Sequence, residues 1–430
     1  MAKFVDLPQE LHQWVCKHLD LESLKALAFV CRSTSPSARE ILNKNIHVQL
    51  TTGKVQGVHN VLAHLIIQAC STTQLPNVAI TSTGDEFTDR ILKFASYVKA
   101  ITLSMPSTNG TASPVTNQQL KGQYMWLVSN LNIPDTVGAE SWDSKFRRGS
   151  MENMLYFLLR IARNVTTLEF GGSLLGMAPT FTQGICDNLR TLRFVGLSNN
   201  SWVPSTYAQF ARLPLLETLE FVSMSVKIQS VHNLGNNLSV SRLRFVNCHV
   251  MTVALAAAVQ MCNALEEFEY TLEHKFWQRN DYNLAKLLFQ LRTHHAATLT
   301  NLTIRSDRYL LGRYHHAEEI AQLTALRTLS MNYELLLFGN QNGGPPHYQN
   351  YRTQKAFFTA DRSYPPTAVE IFLSLPSSLE TINLHICPKS LEAESVLRSI
   401  DLVLRLLRLV SEKGKPLERL PNLASITFSI

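Results

Sequence analysis

The sequence predicts an α/β protein: a short three-helix segment followed by a parallel repeat with strands on one side and helices on the other. Three observations predict it. A short strand pattern returns from about residue 98 to the end of the chain, at a nearly constant step over its central part. Apolar helical stretches lie between its copies. The first forty residues follow a different, purely helical rhythm. A chain of 430 residues exceeds one compact core, so an elongated repeat or several domains are required.

The N-terminal segment reads as helices with marked ends. Asp6 is placed to N-cap the first helix, with Pro8 in its opening turn, where a missing N–H costs least. Leu11, Val15 and Leu19 recur every fourth residue, which predicts an apolar face, with Gln9, Glu10, Gln13 and Lys17 toward water. After Asp20, Leu24, Leu27 and Cys31 repeat the spacing for a second helix. Ser35-Pro36 is an N-cap followed by proline for a third, whose stripe is Ala38, Ile41 and Leu42. About forty residues is too few for a stable domain by itself, so the helices need a partner to pack against.

The residues Leu7-Pro8-Gln9-Glu10-Leu11, then Val15, Leu19, Leu24, Leu27, Val30 and Cys31, resemble an F-box. The departure comes after Arg32, where many members carry an aromatic residue and this chain has Ser33-Thr34-Ser35-Pro36. The resemblance covers roughly the first tenth of the chain and implies docking on a Skp-type adaptor of a cullin-RING ubiquitin ligase. It implies that Leu7, Pro8, Glu10, Leu11, Val15, Leu19, Leu24, Leu27, Val30 and Cys31 form the adaptor-binding set, within a domain spanning residues 1–45. A helical cap on a repeat would account for the apolar stripes equally well, though it does not require Leu-Pro-x-Glu-Leu.

The repeat occupies residues 46–430. Each copy has an aliphatic residue, two others, then two apolar residues separated by a polar one: Val165-Thr-Thr-Leu168-Glu-Phe170, Leu189-Arg-Thr-Leu192-Arg-Phe194, Leu216-Glu-Thr-Leu219-Glu-Phe221. Val240, Leu265, Leu299, Leu326, Leu379 and Leu423 begin further copies, and Val98 an earlier one. Starts at 165, 189, 216, 240 and 265 give steps of 24, 27, 24 and 25, the period of a leucine-rich repeat. The apolar pair is the inward side of a strand, and the leading aliphatic residue plugs the turn before it. Helices are expected over 151–163, 251–262, 284–293 and 317–323. Wider helices outside narrower strands would bend such a stack into a horseshoe.

The register breaks twice, with insertions near 106–150 and 339–366. The first reads as a polar loop and then a helix near Gln123. The second combines Gly339-Asn-Gln-Asn-Gly-Gly-Pro-Pro with Tyr348, Tyr351, Phe357 and Phe358, and loops of that length are usually functional or disordered. It is expected to fold over the concave mouth and help choose a target. Residues 45–50 and 77–81 read as two earlier, degenerate strands. A long helix is expected over 390–410, and the strand at Leu423 has no evident cap.

The remaining composition narrows the function. Forty Lys and Arg against 33 Asp and Glu leave +7, scattered rather than gathered along one face as nucleic-acid binding requires. No signal peptide or stretch of about eighteen apolar residues is present, so a cytoplasmic or nuclear protein is expected, with no membrane or nucleic-acid partner. The seven cysteines are dispersed, without metal-ligand spacing, and for Cys186, Cys248 and Cys262 the resemblance to F-box proteins with leucine-rich repeats implies packing positions. His294-His295 and His315-His316 lack a further ligand at helical spacing, so packing or solvent roles are expected of them. No phosphate loop or nucleophile elbow occurs, hence no catalytic residue and no cofactor is assigned.

The outward strand positions offer a binding face. Glu169, Arg193, Glu220, Arg242, Arg244, Glu267, Glu269 and Arg305 alternate in sign along the stack, so neighbours about 4.8 Å apart have opposite charges to pair. Two readings stay open: a self-neutralising sheet, or, with Tyr348 and Tyr351, a surface selecting a protein target by its alternating potential. With the F-box resemblance the whole implies the substrate-recognition subunit of an SCF-type ubiquitin ligase. The alternative is a leucine-rich-repeat interaction scaffold without ligase function.

Overall fold

The computed structural model describes residues 8–19, 23–24, 26–27, 35–49, 95–105, 158–172, 186–196, 201–202, 213–226, 238–272, 284–306, 317–332, 336, 374–385 and 420–429. The chain groups into two compact units, Met1–Asn200 with Gln209–Leu216, and Ser201–Ala208 with Glu217–Ile430.

The first unit opens with helix α1, Gln9–His18, and helix α2, Ser35–Lys44. Pro8 is the N-cap residue of α1, and its carbonyl accepts from the Leu11 and His12 amides at 3.1 and 3.2 Å. Of the three helices expected here, the middle one is described only at Ser23, Leu24, Ala26 and Leu27, which are helical, so a three-helix domain is not established. Cys16, Leu24 and Ala38 form a small buried core with Leu19, Leu27, Ile41 and Leu42 packed against it. The buried face of α1 differs from the expected one. His12 and Cys16 are inside and Gln13 donates to Glu40 of α2 at 3.2 Å, while Leu11 is exposed. The periodicity located a helix, but α2 and its neighbours chose the face.

From α2 the chain passes directly into β1, Asn45–Gln49, which pairs parallel with β2, Ala100–Met105. β3, Thr167–Gly172, and β4, Thr191–Val195, extend this parallel series in chain order. Of the two degenerate strands expected, the first is β1; residues 77–81 lie outside the described residues, as do the insertions at 106–150 and 339–366 and the helix expected over 390–410.

The second unit carries a parallel series of β6 (Thr218–Val222), β8 (Arg242–Val246), β10 (Glu267–Leu272), β11 (Asn301–Ser306), β12 (Thr328–Asn332), β13 (Thr381–His385) and β14 (Ser425–Ser429). Short strands β5 (Ser201–Trp202), β7 (Ser225–Val226) and β9 (His249–Val250) form a second parallel sheet. Helices α3 (Thr252–Met261), α4 (Leu284–His295) and α5 (Ala317–Ala321) fall where the apolar stretches predict them.

Within each unit the same contacts recur. The leading aliphatic residue closes a tight turn onto the carbonyl three residues back, as Val165 does on Ala162, Leu189 on Cys186 and Leu379 on Pro376, at 2.9–3.2 Å. The next two amides converge on one carbonyl of the preceding copy: Thr300 and Asn301 on Glu266, Arg327 and Thr328 on Thr300, Glu380 and Thr381 on Arg327. Leading and inward residues are almost completely buried, including Leu189, Leu192, Phe194, Val240, Leu243 and Phe245. Phe170 stacks on Phe194 with ring centroids 5.6 Å apart, and Phe221 on Phe245 at 5.0 Å. An apolar residue at a fixed register position meets its equivalent one copy away, which turns a sequence repeat into continuous columns of core.

Asparagine adds a lateral clasp. Asn164, Asn188 and Asn422, each just before the leading residue, donate to Ser96, Arg163 and Ser377 carbonyls of the preceding copy, each at 3.0 Å. After β6 and β8, Ser223 and Asn247 take φ of 52° and 54°, a left-handed turn that leads into the short strands. At β14 the burial changes: Leu423, Ile426 and Phe428 are half-buried, whereas their equivalents in β13 are covered.

Candidate functional site

Two surfaces gather the residues singled out by the sequence. The first is the outer side of α1. Packing of His12 and Cys16 inward turns the opposite side toward solvent, leaving Leu11 47% and Trp14 61% exposed. The rings of Trp14 and His18 lie 4.5 Å apart, as side chains four apart on a helix do. Pro8 and Glu10 are exposed, and Val15 is half-buried. Leu24 is interior, with Leu19 and Leu27 packed against the same small core, so these three support the surface from within. Leu7, Val30 and Cys31 lie outside the described residues. Trp14 was absent from the motif reading, although its place three residues after Leu11 puts both on one helical face.

The second surface is the outward side of the strands. In β4, β6 and β10 the burial alternates strictly, and the polar position between the two apolar ones faces out. In the first unit Arg193 and Glu169 stand in register, and Nη1 meets Oε2 at 2.8 Å. In the second unit the expected lateral pairing takes a diagonal form. Arg244 is in register with Glu269 but reaches Glu267, Nη2 to Oε1, at 2.5 Å, with its Nε donating to the same oxygen at 2.9 Å. Glu269 Oε2 lies 3.7 Å from Arg244 Nε, and Arg242 Nε lies 3.9 Å from Glu267 Oε2.

The charges around Arg244 are not balanced one for one. Burial works against its charge, but Glu267, by hydrogen bond and charge, together with Glu269 and Glu220, holds its pKa above the ordinary value. Glu269 is shifted upward as well. Burial is the largest cause; Arg244 and Arg305 oppose it, while Glu267 and Glu220 reinforce it. Glu220 is in register with Arg244. Arg305 turns to Ser330, donating to its Oγ from Nε at 3.0 Å and from Nη2 at 2.6 Å. Ser330, whose hydroxyl takes both bonds, is buried. Tyr348 and Tyr351, the aromatic part of the predicted target surface, lie outside the described residues.

Of the other polar candidates, His315 and His316 lie outside the described residues and His294 is exposed, while the rest pack in the interior. Cys186, Cys248 and Cys262 are buried, and burial pushes each thiol up to about 12, far from a reactive thiolate. His295 is buried with backbone partners on both ring nitrogens. Among the described residues, no group of three or more His, Cys, Asp or Glu is placed to hold a metal ion. No described helix is long and apolar enough to cross a membrane. No protein-family model matches the sequence, and no curated protein matches it.

Proposed function

We propose that this chain is the substrate-recognition subunit of an SCF-type ubiquitin ligase, an F-box followed by an irregular leucine-rich-repeat solenoid, acting in the cytoplasm or nucleus. The observation that carries the reading is the solvent-facing pair on α1 of Leu11, the last residue of the Leu-Pro-x-Glu-Leu segment, and Trp14 three residues on, in a helical segment ahead of a parallel repeat. Large apolar side chains held outward on a helix with its own packed core favour a partner, because leaving them in water forgoes the free energy of burial. The Skp-type adaptor would cover that face, and the charged strand face would hold a protein target. The chain itself does no chemistry in this scheme. It brings a target lysine near a ubiquitin-charged enzyme, and proximity and orientation are its contribution.

The test is co-purification of the full chain with a Skp-type adaptor, compared with a Leu7→Ala/Pro8→Ala double variant. The wild type should retain the adaptor and the variant lose it while keeping the far-ultraviolet circular dichroism of the repeat. Retention by the variant, or no binding by the wild type, overturns the reading. A scaffold without ligase function is favoured by one observation: α2 runs without a break into β1, and the Lys99 amide bonds the Lys44 carbonyl at 2.9 Å, the join a helical cap would make. Absence of adaptor binding by the wild type selects it.

A further inference from the structure

We infer that His295 is an acid-operated latch, which holds α4 to the end of α3 and to the turn before β10 while neutral and releases both when protonated. The imidazole is 1% exposed. Its Nδ1 accepts the Leu265 backbone N–H at 3.3 Å, and its Nε2 lies 2.9 Å from the Val259 carbonyl oxygen. Neither partner has a choice of role. An amide nitrogen only donates and a carbonyl only accepts, so the ring must be neutral with its proton on Nε2. A second proton would place N–H against N–H at Leu265.

Among the described residues, no acidic side chain bonds the ring to compensate for such a charge. Both hydrogen bonds of the ring go to backbone. On α4 itself the neighbour is His294, whose ring centroid is 6.2 Å away and which carries the same sign when protonated. α3 has no ionisable residue from Thr252 to Met261, and Cys262 at its end is a buried thiol. At the turn before β10, Glu266 is exposed to solvent, and Glu267 on the outward face is held by Arg244. Glu319 of α5, the helix beyond, is half-buried, and its Oε2 is buried with no hydrogen-bond partner, the imidazole included. Desolvation accordingly lowers the pKa of His295, with Val259 opposing and His294 adding to the shift.

The released bond matters to the strand face. Leu265 is the leading plug of the copy whose strand carries Glu267 and Glu269, and Thr298 just beyond α4 donates to its carbonyl at 2.9 Å. Acid therefore loosens the turn that sets the register of those two carboxylates.

The experiment is hydrogen exchange of the full chain between pH 7.5 and 5, with rates at Leu265 corrected for the intrinsic pH dependence. Protection at Leu265 should fall by up to about tenfold per pH unit once the pH is below the onset of protonation, the slope for opening coupled to one proton. In His295→Gln, whose amide can supply an acceptor and a donor but does not titrate, protection should be independent of pH. PH-independent protection in the wild type, or the same acid loss in the glutamine variant, overturns the proposal. Should that variant not fold, the ring resonances of the wild type decide. His295 must titrate below the ordinary imidazole range and in step with loss of Leu265 protection, and an ordinary value for His295 refutes the latch.

Discussion

Trp14→Ala separates a docking face from a core more sharply than any other single change. The side chain is 61% exposed, so most of its surface is already in water in the free chain, and its ring lies against His18 on the same helix. Truncation should therefore cost the fold no more than about 0.5 kcal/mol, as for surface positions generally. Binding is different. A tryptophan offers roughly 200 Å², of which about 120 Å² is free here to be covered. At about 25 cal/mol per Å² that amounts to roughly 3 kcal/mol, or on the order of a hundredfold in Kd. Titration calorimetry with the Skp-type adaptor, alongside thermal melting, measures both quantities on one preparation. Affinity within threefold of wild type would refute the assignment of this face to the adaptor. A melting temperature lowered by many degrees would instead show that Trp14 is part of the fold.

The other expectations concern the repeat. Phe245→Ala removes a fully buried ring stacked on Phe221, and should destabilise the second unit by about 3–5 kcal/mol in urea unfolding; a loss under about 1 kcal/mol would contradict the column of aromatic rings. Ser223→Gly relieves a left-handed backbone at φ 52° while keeping the amide bond to Val246, so a gain of about 0.5–1 kcal/mol is expected, and any loss counts against strain there. Glu269 has its folded pKa raised, so its contribution to stability is full below the ordinary carboxylate range and is lost as pH rises through the folded pKa. Glu269→Gln should accordingly raise the melting temperature at pH 7 and leave it unchanged at pH 4; a fall at pH 7 would mean that Arg244 outweighs burial.

The repeat was readable because its core is one-dimensional. A leucine at a leading position must meet the leucine one copy away, so Leu189, Leu192 and Phe194 reveal their burial by spacing alone. The asparagine clasp was not legible: Asn164, Asn188 and Asn422 each stand before a leading residue, but a side-chain bond to a carbonyl in another copy has no local signature. Alternation of charge gave the ion pairs Glu169–Arg193 and Arg244–Glu269 in register, yet not the shorter diagonal one to Glu267. A long guanidinium side chain reaches past its register neighbour, so register alone does not say which carboxylate it takes.

The sequence by itself determined that this chain stacks parallel strands in order, since period-two strands recurring at a fixed step bury their apolar side only against equivalent neighbours. It determined as well that α1 is an amphipathic helix. Tertiary structure decided which side of that helix is free. His12 and Cys16 went inward, Cys16 into a small core with Leu24 and Ala38, leaving Leu11 and Trp14 to solvent. It also decided the state of His295, for which the sequence left packing and solvent roles open, but whose ring nitrogens are fixed by two backbone groups some thirty residues away in the chain. Spacing along a chain records which residues share a face. Only packing between elements sets which face meets water, and which polar atom finds its one complementary partner.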